Sequence, residues 1–97
     1  MTEIIKDRVQ QEAKNIAQEI IEIRRHLHAH PELSFQEYNT SAFIEKHLQS
    51  LKISYSKIAG TGLLALIEGK NPTKKTIALR ADIDALPIVE ANDVPYK

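Results

Sequence analysis

Two aspartates spaced i, i+2, Asp82 and Asp84, close an apolar run, Thr76-Ile77-Ala78-Leu79, and Pro87 ends the segment. In open α/β sheets, chemistry gathers at the carboxyl ends of strands. A carboxylate there needs a cation, a metal or hydrogen-bond donors once it leaves water. If the strand continues, the two side chains alternate and need not face one site. One can bind a metal or orient a metal-bound histidine while the other closes an Asx turn or pairs with Arg80.

The second concentration of chemistry is His26-Leu27-His28-Ala29-His30. His26 and His30 stand i, i+4, a spacing that pairs zinc ligands on a helix face. Pro31 disfavours helix at His30, and no glutamate sits in the place a hydrolytic zinc helix requires. Histidines at a helix end also suit the negative pole of the dipole, and the cluster reads as structural. His47 reads as a solvated helix residue. Glu32 and Glu37 read as turn and capping residues, not as acid–base groups. Gly60-Thr61-Gly62 lacks the Lys-Ser/Thr pair and following helix of a phosphate loop.

The elements that must position these groups follow from periodicity. Ile5, Val9, Ala13, Ile16, Ile20, Ile23 and Leu27 advance by three or four, predicting one long amphipathic helix that ends near 27–29 and packs on a sheet. Ser34 and Glu37 have capping-box spacing, and Leu33 with Tyr38 would form the hydrophobic staple of a second helix reaching about Ser50 or Leu51. That helix would turn Ile44, Leu48 and Leu51 inward. Residues 53–58 alternate as a half-exposed edge strand, Gly60-Thr61-Gly62 permits a tight turn, and 63–68 reads as a buried strand. After the turn at Gly69-Lys70-Asn71-Pro72-Thr73, residues 76–81 should return antiparallel. The order expected is α-α-β-β-β.

Composition narrows the function classes. Apolar residues at 42% and charged residues at 27% are ordinary for a globular chain. Thirteen basic residues balance thirteen acidic ones, and with three Tyr, two Phe and no Trp there is little for nucleic acid or an anionic membrane to hold. The absence of cysteine excludes disulfides and thiolate ligands within the chain. No secretory-type leader or membrane-length apolar run is visible, so the expected compartment is cytoplasmic. Ninety-seven residues make one small domain at most.

Three stretches together resemble the M20 metallopeptidases, and within them the amidohydrolase branch of N-acyl-amino-acid and hippurate hydrolases. They are the run from Ile23 to Glu37 containing His30-Pro31-Glu32-Leu33-Ser34-Phe35, the strand motif Thr61-Gly62-Leu63-Leu64-Ala65-Leu66-Ile67-Glu68-Gly69, and Leu79-Arg80-Ala81-Asp82-Ile83-Asp84-Ala85-Leu86-Pro87-Ile88-Val89-Glu90. The resemblance implies that residues 1–97 are the N-terminal part of a zinc-exopeptidase-like, three-layer α/β catalytic domain, without the smaller inserted dimerisation domain. It implies a homodimeric parent that binds two divalent ions, zinc or manganese. Water would attack the amide of an N-acyl amino acid or small peptide with help from a glutamate base.

The metal ligands and the base of this branch lie beyond Lys97, so no metal ligand is assigned here and no bound metal is expected. Asp84 matches the aspartate of the wider family's His-x-Asp motif, which orients a metal-binding histidine. Asp82 stands where that histidine would be, a departure the amidohydrolase branch shares. Asp84 is therefore the expected site-supporting carboxylate and Asp82 a weaker candidate. Taken alone, the chain should be inactive, with open sheet edges prone to self-association. The competing reading is a non-catalytic α/β module that pairs with a partner through an exposed sheet edge. The histidine cluster supplies a direct check. Dialysed against zinc, the chain should retain no stoichiometric metal. One zinc per chain, lost in His26→Ala, would make the cluster a metal site instead.

Overall fold

The computed structural model describes residues 2–97. They form two helices followed by two antiparallel strands: α1 (Thr2–Ala29), α2 (Tyr38–Ser50), β1 (Ser54–Ile58) and β2 (Gly62–Leu66). The chain divides into two compact units. One comprises the residues through His30 together with Val89–Lys97, and the other is Pro31–Ile88.

In the first unit, α1 ends where Pro31 requires, with the His30 amide donating to the Leu27 carbonyl at 3.3 Å. Its apolar stripe is not buried: Ile5, Val9, Ile16 and Ile20 are all exposed. The expected packing of this stripe on a sheet is therefore corrected, because periodicity states which residues share a face and not what covers it. The C-terminal residues meet the last turn of α1. Glu90 Oε2 lies 2.6 Å from His28 Nε2, and the Arg25 guanidinium sits 4.3 Å from the centre of the Tyr96 ring.

The second unit carries α2 and the hairpin. The expected capping box is absent. Phe35 takes a left-handed φ of 66° in a turn closed by the Gln36 amide on the Leu33 carbonyl, so helix cannot begin at Ser34. The N-cap is Glu37, whose side chain makes no cap hydrogen bond. Leu33 and Tyr38 stay exposed, and the staple does not form. At the other end, the Ile53 amide reaches the Leu48 carbonyl and the Lys52 amide reaches Gln49, with Lys52 at φ 58°. These are the two hydrogen bonds of a Schellman motif, which is normally built with glycine. On the inner face Ile44 and Leu48 are half-buried, whereas Leu51 is exposed.

β1 and β2 pair from Ser54↔Leu66 to Ile58↔Gly62. The turn places Ala59 and Gly60 at positive φ, 51° and 82°. Gly62 is required by a close approach, since a Cβ there would lie 2.8 Å from the Ile58 carbonyl oxygen. Glu45 fastens α2 to this ribbon by accepting from Tyr55 Oη at 2.9 Å and pairing with Lys57 at 3.2 Å.

Two strand expectations are corrected. β2 is not buried, for Leu64 and Leu66 are exposed. Residues 76–81 form no third strand: the Asn71–Lys74 turn is present, but beyond it no ladder hydrogen bond forms, and Ile77 and Leu79 are 85% and 96% exposed. A long loop after Leu66 sets no register, and a strand without a paired neighbour gains neither ladder nor burial. Among the described residues no apolar side chain is buried, and the buried ones are Glu37, Thr40, Ser41 and Thr61. Lys52→Gly should stabilise the α2–β1 corner by roughly 0.5–1 kcal/mol, read as a higher urea midpoint for loss of helix, because glycine relieves the left-handed backbone.

Candidate functional site

The segment bearing the aspartates is held by its backbone. The Ala85 amide, next to Asp84, donates to the Glu32 carbonyl at 2.8 Å. Glu32 is itself fixed from the side-chain end. Its Oε1 accepts from the Thr40 amide at 2.5 Å and from Thr40 Oγ1 at 2.6 Å, and its Oε2 accepts from the Asn39 amide at 3.2 Å. Those two amides are the orphan donors that an N-cap side chain ordinarily satisfies. Glu32 thus caps α2 from five residues before its N-cap. Glu37, free of that duty, accepts the buried Thr61 hydroxyl at 3.0 Å and ties the start of α2 to the hairpin.

Around this anchor the two aspartates differ. Asp82 Oδ1 pairs with Arg80 at 3.1 Å, and both side chains are largely in water, which matches the surface-pair alternative. Such an exposed pair contributes little to stability. Asp84 is exposed and has no hydrogen-bond or ion-pair partner among the described residues. Among the described residues the two carboxylates share no common partner.

The histidines are engaged locally. His30 Nδ1 donates to the His26 carbonyl at 2.8 Å, and the two rings stack at 4.4 Å, so the i, i+4 pair does share a face despite Pro31. His28 meets Glu90. His47 is half-buried, not solvated: Nδ1 donates to the Phe43 carbonyl at 3.0 Å. Among the described residues no three His, Asp or Glu side chains converge so as to hold a metal ion. The residues present do not by themselves fit the two-ion centre that the M20 resemblance implies. Sequence identifies Glu32 as a capping residue, but its link through Ala85 to Asp84 joins residues far apart in the chain and leaves no local signal.

Three carboxyls are held below their ordinary value of 4.5. For Glu32 the main cause is the Thr40 hydroxyl, for Glu45 the Tyr55 hydroxyl, and for Glu90 the Asn92 amide, followed by His28.

The chain is similar to longer proteins with hydrolase names. It is 57% identical over 74 residues to an "Uncharacterized hydrolase" of Staphylococcus aureus (strain bovine RF122 / ET3-1), covering 76% of this chain and 19% of the relative. It is 54% identical over 80 residues to "Putative amidohydrolase YhaA" of Bacillus subtilis (strain 168), covering 81% of this chain and 20% of the relative. The chain thus spans about a fifth of the length of these relatives. No protein-family profile and no solved structure matches it. No helix among the described residues is long and apolar enough to cross a membrane.

The Glu32 anchor has a pH signature. A carboxyl whose folded pKa lies below its unfolded value contributes stability that is complete above the unfolded value and disappears as pH falls through the folded one. Side-chain carbon NMR should therefore give Glu32 a midpoint below 4.5, with α2 helicity declining as that midpoint is crossed. Thr40→Val should move the midpoint up toward the ordinary value. An unshifted midpoint in the unsubstituted chain would contradict the anchor.

Proposed function

We propose that this chain is the N-terminal part of an M20-type, metal-dependent amidohydrolase that cleaves the amide bond of N-acyl amino acids or small peptides. The observation that carries the reading is Asp84: an exposed carboxylate without a partner among the described residues, fixed by its neighbour's amide within the run 79–90 that resembles the branch signature. Similarity to proteins named as hydrolases and as an amidohydrolase supports it.

In this reading Asp84 is the site-supporting carboxylate and Asp82, paired with Arg80 at the surface, is the weaker candidate. The two divalent ions, zinc or manganese, belong to the longer protein, with ligands outside these residues. A homodimeric parent in the cytoplasm acting on small substrates completes the proposal. The 97-residue chain alone performs no hydrolysis, since a hydrolytic metal needs about three protein ligands and an open position.

A second reading, a non-catalytic module that adds strands at its edge, draws on the unpaired, exposed apolar residues of 76–81. One comparison separates the two. In the longer protein, Asp84→Asn should lower turnover of N-acyl amino acids by about 10–100-fold, as when a supporting carboxylate behind a ligand is lost, with the thermal midpoint nearly unchanged. An undiminished kcat would sink the hydrolase role of Asp84.

A further inference from the structure

We infer that Glu32 is a positioning residue for Asp84, acting through both ends of the same residue. The side chain fixes where Glu32 sits. Three donors, the Asn39 and Thr40 amides and the Thr40 hydroxyl, converge on its two oxygens. Two of them belong to the first turn of α2, so the carboxylate is held by a helix end whose amides would otherwise lack partners. Thr40 is itself buried, which keeps water from competing for the hydroxyl bond. The main chain of Glu32 then does a different job. Its carbonyl receives the Ala85 amide at 2.8 Å. That bond sets the backbone immediately after Asp84, in a stretch that otherwise has no ladder to hold it.

The consequence concerns direction. Among the described residues, Asp84 has no side-chain partner to orient it and its segment has no strand neighbour. The Ala85 amide bond is the contact that fixes its place, and Glu32 is the residue that makes the bond geometrically definite. Glu32 acts here as a hydrogen-bond acceptor, its charge strengthening those bonds, and not as an acid or base. Glutamine keeps one of the two acceptors, whereas alanine keeps none. A residue acting as an acid or base would show the reverse pattern, with glutamine as damaging as alanine. The catalytic consequence rests on the amidohydrolase reading of Asp84; the clamp itself does not.

The test has two arms. In the 97-residue chain, amide hydrogen exchange by NMR should show Ala85 protected. The protection should be lost in Glu32→Ala, be weakened in Thr40→Val and survive in Glu32→Gln, while β1–β2 amides keep their protection in all three. Loss of the β1–β2 protection in Glu32→Ala leaves the decision to Thr40→Val and Glu32→Gln. An unprotected Ala85 amide in the unsubstituted chain overturns the clamp, as does full protection in both Glu32→Ala and Thr40→Val. In the longer protein, Glu32→Ala should reduce kcat for N-acyl amino acids about 10-fold or more with little change in KM, since small displacements of a positioned group are costly. Glu32→Gln should restore most of it. If Asp84→Asn lowers turnover but Glu32→Ala does not, the positioning role is wrong and the hydrolase reading stands. If Asp84→Asn is itself without effect, the hydrolase reading fails while the exchange arm still decides the clamp.

Discussion

The organisation of the Pro31–Ile88 unit depends on one carboxylate, that of Glu32. Helix α2 begins without a side-chain hydrogen bond from its N-cap residue, and Glu32 reaches its first amides from the preceding turn. This releases Glu37 to hold Thr61, so the helix start, the hairpin turn and the Asp84 segment are all referred to residues 32–40. Hydrogen bonds to a charged acceptor are about twice as strong as neutral ones. A small unit can therefore keep its geometry through such a node even when its apolar burial is slight.

The hydrophobic effect, ordinarily the largest favourable contribution to folding, is little used within these residues. The closed positions are polar, while Ile4, Ile5, Ile16, Ile20 and Ile21 of α1, Leu64 and Leu66 of β2 and the apolar residues of 76–81 are exposed. Exposed apolar runs with free backbone groups are templates for pairing. The same surface that leaves the 97 residues weakly packed is the surface on which sheet neighbours in a longer hydrolase would lie under the proposed function.

Local structure was legible where local rules decide it. Pro31 stops α1, Gly60 turns the hairpin, and alternation in 53–58 marks β1, each through a backbone constraint that acts within a few residues. The start of α2 is hidden from spacing: Ser34 and Glu37 stand at capping distance, yet Phe35 adopts a left-handed conformation that spacing does not reveal. The apolar faces of α1 and β2 are less covered than their patterns imply, because periodicity identifies a face and not its cover. The third strand failed for the same reason: 76–81 has strand composition, but a strand exists only through its neighbour. At the site, Asp82 and Asp84 stood out by type and spacing, whereas the Glu32–Ala85 bond joins residues far apart in sequence and left no local signal.

The central claim is that these residues work within a longer amide hydrolase, and the intact mass of the protein captured from its source cells tests it most directly. The account predicts a product several times heavier than the 11.0 kDa of this chain. A native product of 11.0 kDa would contradict it.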